Sequence, residues 1–399
     1  MDVSEPLRSP AVPEPATPSA VPIPDERDDL EALELNQDSQ RVATASQWQL
    51  IWWRFRKNRL AVFCVGVVAL FYLTAIFADA VAPYDPNQAV ARMTLAPPSR
   101  IYFLNEQGRP TWPYAYGLGQ SVNRETFRRE FAEDPAQRTT IGLFVSSEPY
   151  RLWGFIPLER RLIGPTNPEV RIYLLGGDTI GRDLLSRMTH ATRISMSISL
   201  IGILLSLIIG VTLGGVSGYY GGGVDMAIQR LIEFLDSIPK IPIWMGLSAA
   251  IPLTWSPLAI FFGITLILSL LGWLGMARVV RGRFLALREE DFVMAALVAG
   301  ANERRIIFRH MLPAFTSHIV AALTLSIPGA ILGETSLSFL NLGLKPPLTS
   351  FGVLLQEAQN LRTVALAPWL IIPALALIVL VLAFNYLGDG LRDAADPYA

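Results

Sequence analysis

The sequence predicts an all-α polytopic membrane protein, with about six spans of the twenty or so apolar residues that cross a bilayer. Three observations predict it. Hydrophobic residues make up 51% of the 399 residues and charged residues only 17%, with a mean hydropathy of +0.38; a soluble domain carries about a quarter charged residues. The apolar residues are gathered into runs. Between the run that ends at Met276 and the one that starts at Ala314 stand Arg278, Arg281, Arg283, Arg288, Arg304, Arg305 and Arg309, against Glu289, Glu290, Asp291 and Glu303. Short arginine-rich loops between membrane helices stay on the cytoplasmic side, so this interval orients the chain.

The first 46 residues are rich in Pro, Ala, Asp and Glu and nearly free of aromatics. Such a segment buries too little apolar surface to offset its ordering entropy, so 1–46 reads as a disordered cytosolic tail, regulatory or inert. Trp48, Trp52 and Trp53 with Arg54, Arg56, Lys57 and Arg59 form an aromatic and basic anchor, making 47–82 the anchor and first span, with the apolar run from Leu60 to Ala82. Ala78-Asp79-Ala80 mimics a signal-peptide cleavage site, but the run is too long and too far from the start.

Pro83-Tyr84-Asp85-Pro86 ends that span and opens an external region, 83–192. Its middle, from Arg100 to Arg171, is an insertion between helices 1 and 2 that mixes short apolar clusters and aromatics (Tyr102, Trp112, Tyr114, Trp153) with Pro, Gly and charges. That composition predicts a small folded subdomain, and two roles stand for it: contact with a substrate-delivering protein, or a cap on the bundle. Thr179 to Thr192 is amphipathic and is expected along the outer interface, with Asp178, Arg182 and Asp183 as external-interface candidates.

The remainder, 193–399, carries five further spans. In the second, about Ile194 to Val216, Gly202, Ser206, Gly210, Gly214 and Gly218 recur every fourth residue, a stripe that lets membrane helices pack closely. The third, Met226 to Leu253, begins with Arg230, Glu233 and Asp236 and breaks at Pro239 and Pro242. Charges so near a span are gate candidates, and an interfacial salt bridge explains them equally well. The fourth, Pro257 to Met276, is uncharged. The fifth ends near Leu332, before Glu334, for which a gate carboxylate and a hydrogen-bonded structural acid both stand. The last covers about Ala367 to Leu387, so both termini fall on the cytoplasmic side.

The polar interval 277–313 has a helical pattern of its own. Phe292, Ala295, Ala296 and Ala299 recur at helical spacing, Gly300 interrupts, and Ile306, Ile307 and Phe308 resume before Pro313. Two short helices with a glycine bend make a docking surface for another protein, or an amphipathic element resting on headgroups.

Ala295-Ala296, then Gly300, then His310, Leu312 and Pro313 resemble the "EAA" coupling loop of ABC importer permeases. Met294 stands where that family has glutamate, which removes a salt bridge there. Asp178, Gly181, Arg182, Asp183, Ser186, Arg187 and Arg193 resemble the dipeptide/oligopeptide branch, with Gly177 in place of threonine and Ala191-Thr192 in place of Gly-Ala. Gly333, Glu334, Leu337, Phe339, Leu340 and Gly343 continue the likeness, with Asn341 in place of glycine.

The resemblance implies the type I permease fold and a permease subunit of an ATP-driven importer, half of a pathway for peptides or similar small solutes in a bacterial inner membrane. It implies as partners a second homologous permease, two ATPase subunits and an extracytoplasmic solute-binding protein. Coupling would run through 291–313, with Ala295, Ala296, Gly300, Glu303, Arg304, His310 and Pro313 at the contact. The chain lacks any Gly-Lys dipeptide, and so a Walker A loop, and it carries no zincin or dinucleotide motif. The expectation is a transport subunit rather than an enzyme, with no metal and no cofactor of its own and ATP used by its partners. A formal charge of −1 gives no reason to invoke nucleic acid. An independent ion-coupled carrier is the alternative; such carriers show inverted repeats and charged broken helices, and no internal repeat is evident.

Overall fold

The computed structural model describes residues 46–105, 107–122, 124–125, 129–252 and 254–395. Apart from Ser46, the tail expected over 1–46 lies outside the described residues. Helix α1, Gln47–Lys57, carries the tryptophan-arginine anchor, with Trp48, Trp52 and Trp53 exposed. Asn58 separates it from α2, Arg59–Ile76, and caps α2 by accepting the Ala61 N–H at 3.1 Å. The helix breaks at Phe77, before a single turn, α3, Ala78–Val81.

The insertion, expected only as a small folded subdomain, is built of strands. It is a four-stranded antiparallel meander in the order β1-β2-β3-β4: Tyr102–Leu104, Pro110–Val122, Arg129–Leu152 and Ile156–Pro165. The long β3 pairs with β2 through its first half and with β4 through its second, bending where the register slips between Ser146 and Tyr150. Arg161 on β4 fastens the sheet to the chain below it. Its Nη1 donates to the carbonyls of Asp79, Ala82 and Tyr84, so a cation closes the C-terminal end of α3.

Helix α4 runs Leu184–Tyr220 without interruption, so the amphipathic stretch expected along the interface is its first turns rather than a separate helix. Then come α5, Gly222–Asp236; α6, Lys240–Ala249; α7, Pro257–Leu287; α8, Asp291–Val298; α9, Thr316–Phe339; α10, Phe351–Glu357; α11, Leu361–Leu366; and α12, Ile372–Ala395. Between α8 and α9 the segments Glu303–Arg305, Ile306–Met311 and Leu312–Ala314 follow end to end, the middle one π-helical. Among the described residues, five helical stretches are long and apolar enough to cross a membrane: α2, α4, α7, α9 and Pro368–Ala395, which contains α12. The expected span from Met226 to Leu253 is instead the pair α5 and α6, because Pro239 cannot continue α5 and starts a new helix; Leu253 lies outside the described residues. Helices α4 and α7, about 55 and 46 Å long at 1.5 Å per residue, exceed the hydrocarbon thickness. The expected end of the fourth span at Met276 is therefore passed by three turns.

The small-residue stripe does what its spacing predicts. A methyl group built at Gly214 would overlap the Ala277 carbonyl, one at Gly210 would lie 2.8 Å from Met276, and one at Gly218 would press on Arg281 and Phe284. Helices α4 and α7 thus touch backbone to backbone. A second core gathers Val68 and Ala75 of α2, Met196 of α4, Phe351 of α10 and Phe384 of α12. Two ends of the helical bundle follow: the sheet end, where α2 finishes and α4 begins, and the loop end, which carries 291–313.

Candidate functional site

At the loop end, α8 is closed by a Schellman turn. The Ala301 N–H donates to Ala296 O at 3.0 Å and the Gly300 N–H to Leu297 O at 2.9 Å. That closure needs a left-handed residue after the helix, and Gly300 sits there at φ +77° with open space around it. Asn302 then caps the next segment by accepting the Arg305 N–H. Val293, Ile306 and Met311 are buried against Phe284 and Phe315, which fixes the loop from inside. Its other face is exposed and apolar: Met294, Leu297, Val298 (87% exposed) and Phe308 (66%). Around them Ala295, Arg304, Arg305, Arg309 and Pro313 are exposed, while Ala296 and His310 are half-buried. Glu303 accepts the Tyr220 hydroxyl at 2.8 Å, tying the loop to the end of α4.

Next to it, Asp225 at the start of α5 accepts both Nε and Nη2 of Arg281 near the end of α7, at 2.5 and 2.6 Å. Arg281 was legible only as loop charge; its partnership across 56 residues was not. Of the gate candidates, Arg230 pairs with Glu233 at 2.7 Å on an exposed face and Asp236 with Arg278 at 2.8 Å. Glu334 is elsewhere, fully buried, accepting from Ser195 on α4 at 3.0 Å and from Ser338 at 2.7 Å. The structure does not bring these four together.

A cavity of about 390 Å³ lies among α4, α6, α7 and α9, lined by Gly202, Ser206, Lys240, Trp244, Gly272 and Ser326 among others. Among the described residues Lys240 is the one cation in its lining, and the Trp244 indole N–H, buried beside it, finds no hydrogen-bond partner among them. Sequence reading missed both, because a lysine and a tryptophan flanking a proline break look like ordinary interfacial residues.

At the sheet end, Asp178, Arg182 and Asp183 are buried rather than spread over a surface. Arg182 Nε and Arg187 Nη1 both donate to Asp178 Oδ2, at 2.6 and 2.7 Å, and both arginines reach Glu357 beyond α9. Nothing around Glu357 in the sequence marks it, since it sits among Gln356, Gln359 and Asn360 like an ordinary loop acid. Gly181, at φ +85°, lies so close to Val90 O that no side chain fits, so the loop carrying the arginines is clamped by the chain following α3. Asp183 caps α4 through the Ser186 N–H and O–H at 2.8 and 2.6 Å, both on one oxygen, the other finding no hydrogen-bond partner among the described residues. Burial pushes its carboxyl up to about 6, against the pull of those two hydrogen bonds.

The comparisons with known proteins fall on the same elements. The family described as binding-protein-dependent transport system inner membrane component matches residues 210–398, and the N-terminal TM domain of oligopeptide transport permease C matches 46–98. The dipeptide transport system permease protein DppC of Lactococcus lactis is 33% identical over 361 residues, covering 89% of this chain and 91% of that protein. The oligopeptide transport system permease protein OppC of Haemophilus influenzae is 39% identical over 318 residues, 78% of this chain and 96% of that one. Among solved structures, a chain of the inward-facing MetNI methionine ABC transporter is 14% identical, with a TM-score of 0.40, over 52% of this chain and 95% of that one. With relatives at 33% and 39% identity covering most of this chain and more than nine-tenths of their own length, this chain belongs to the ABC importer permeases, in their dipeptide and oligopeptide branch.

Proposed function

We propose that the chain is one of two permease subunits in an ATP-driven importer of peptides or similar small solutes, coupled through 291–313 to an ATPase on another chain. The observation that carries this is the two-faced loop. Val293, Ile306 and Met311 hold it rigidly from within, while Met294, Leu297, Val298 and Phe308 offer an apolar face ringed by arginines. A loop that only rested on lipid would need no internal core. Anchoring lets a push on the outer face reach α7 and α9, and the Tyr220–Glu303 and Asp225–Arg281 contacts carry it to α4 and α5.

In this reading the cavity beside Lys240 and Trp244 is this subunit's share of the pathway. Arg230, Glu233, Asp236 and Glu334, none of which lines that cavity, stand as separate gate candidates, and the Asp178–Arg182–Asp183 region shapes the external end. The companions are a second permease, two ATPase subunits and an extracytoplasmic solute-binding protein. The membrane is the bacterial inner membrane, with both termini cytoplasmic and ATP used by the partners.

The test is a Val298→Cys variant in a Cys64→Ala background, co-expressed with the cognate ATPase and treated with a short bifunctional thiol reagent. A crosslink to the ATPase that changes in yield with ATP is expected. No crosslink from Val298→Cys or from Leu297→Cys in an assembled complex would overturn the coupling. Uptake by this chain alone in vesicles would favour the ion-coupled carrier instead.

A further inference from the structure

The tip of the β3–β4 hairpin reads Leu152-Trp153-Gly154-Phe155-Ile156. A turn facing water usually takes Asn, Asp, Gly or Ser at such positions, yet this one places two aromatic rings and an isoleucine. Trp153 sits at φ +54°, a conformation unfavourable for a bulky side chain, so something must hold it there. Two hydrogen bonds do: its indole N–H donates to Ile76 O at 2.7 Å and its backbone N–H to Asp79 Oδ2 at 3.2 Å. Ile76 is the last residue of α2, so the tip is pinned at the level where that helix leaves the apolar layer.

Asp79 is itself held from the other side, by both Arg193 and His190 of α4. The pin therefore has a rigid base. Phe77, Trp153 and Phe155 then form a row, with successive ring centroids 6.0 Å apart, and all three are exposed, Phe155 by 69%. The row continues a stripe already on α2, where Phe63, Leu70 and Leu73 are exposed on the helix face that leads to Phe77. Tryptophan with its ring in apolar surroundings and its N–H satisfied is the side chain that suits a membrane–water boundary.

We propose that residues 153–156 are a lipid anchor, seated in the headgroup layer of the bilayer where α2 ends. The occupant is lipid rather than protein because the row prolongs the exposed apolar face of α2, a helix long and apolar enough to cross a membrane. The inserted sheet is thus moored to the bilayer at the end of β3 that carries the tip, the opposite end of that strand from Arg129, which pairs with Val122 of β2.

The full chain, in a Cys64→Ala background, would be labelled with a small environment-sensitive fluorophore at Phe155→Cys and separately at Ile156→Cys. Both would be reconstituted in phosphatidylethanolamine–phosphatidylglycerol vesicles, with Val122→Cys as the remote comparison. Quenching of both tip labels by a lipid nitroxide near the headgroup, several-fold stronger than at Val122, with matching protection from aqueous iodide, is the result expected. Iodide quenching equal to that at Val122, with no effect of the lipid nitroxide, would overturn the anchor. So would protection that appears only when a second permease or a solute-binding protein is added.

Discussion

Arg187 and Glu357 lie 170 residues apart and meet as a two-pronged pair, Nη1 to Oε2 at 2.6 Å and Nη2 to Oε1 at 2.8 Å. The arginine is fully buried and the carboxylate partly so. The pair joins the start of α4 to the end of α10, and Asp178 and Arg182 complete a four-charge network with no net charge.

Breaking that pair from one side is predicted to be costly. Glu357→Ala leaves Arg187 buried with only Asp178 to neutralise two guanidinium groups, and removal of one partner of such a pair costs about 3–5 kcal/mol. Thermal unfolding in detergent should show the loss. Replacing both ends, Arg187→Met with Glu357→Leu, should recover part of it. If the double variant is as unstable as the two single losses summed, the network is not acting as a unit.

Asp183 gives a pH dependence with a definite sign. Its folded carboxyl titrates at about 6, above the roughly 3.9 of an unfolded aspartate, so folding favours the protonated form. Its contribution to stability is full below about pH 4 and is lost as pH rises through 6, an order-of-magnitude loss of about 3 kcal/mol. Asp183→Asn keeps a side-chain acceptor for the cap and removes the charge. The variant should melt higher than the parent at pH 7.5 and close to the parent near pH 3.5. A lower melting temperature at both values would show that the charge, not its burial cost, matters there.

Gly300→Val meets no neighbour but must place a β-branched residue at φ +77°, at a cost of roughly 1–2 kcal/mol to the closing turn. Membrane insertion should be normal, with transport by the assembled importer lost and ATPase co-purification reduced. Gly300→Asn, which tolerates that conformation, should retain most activity. Normal uptake by the valine variant would remove the bend from the coupling.

Close approach of α4 and α7 predicts a contrast between two glycines. Gly214→Leu drives a side chain into the Ala277 backbone and should cost at least the roughly 1–3 kcal/mol of an overpacked core, seen as poor yield and early unfolding. Gly66→Ala on α2 touches nothing and should leave stability unchanged or raise it by up to about 1 kcal/mol. Equal behaviour of the two would mean the stripe is not a packing surface.

Much of this molecule is legible in one dimension. Run lengths locate α2, α4, α7, α9 and α12, since the bilayer imposes one minimum length on every span. Four-residue spacing picks out the α4 face that meets α7, and the arginine-rich interval with Gly300 marks the coupling candidate, because helix periodicity and glycine's left-handed conformation are local properties. Helix ends were less legible. Helix α7 runs on to Leu287 past its apolar stretch, with Arg281 held there by Asp225, a partner that run length does not reveal.

The rest belongs to the tertiary structure. Glu357, Asp79 and Asp225 have no distinctive neighbours in sequence; each matters through an arginine that folding delivers from 56 to 170 residues away. The insertion's meander was hidden for a similar reason, as strand pairing is decided by what faces each strand rather than by its own residues. A single chain of amino acids specifies how long and how apolar its helices are, because those are sums over neighbours. Which buried charges neutralise each other, and where Trp153 comes to rest against Ile76, depend on pairings that exist only once distant segments share the same space.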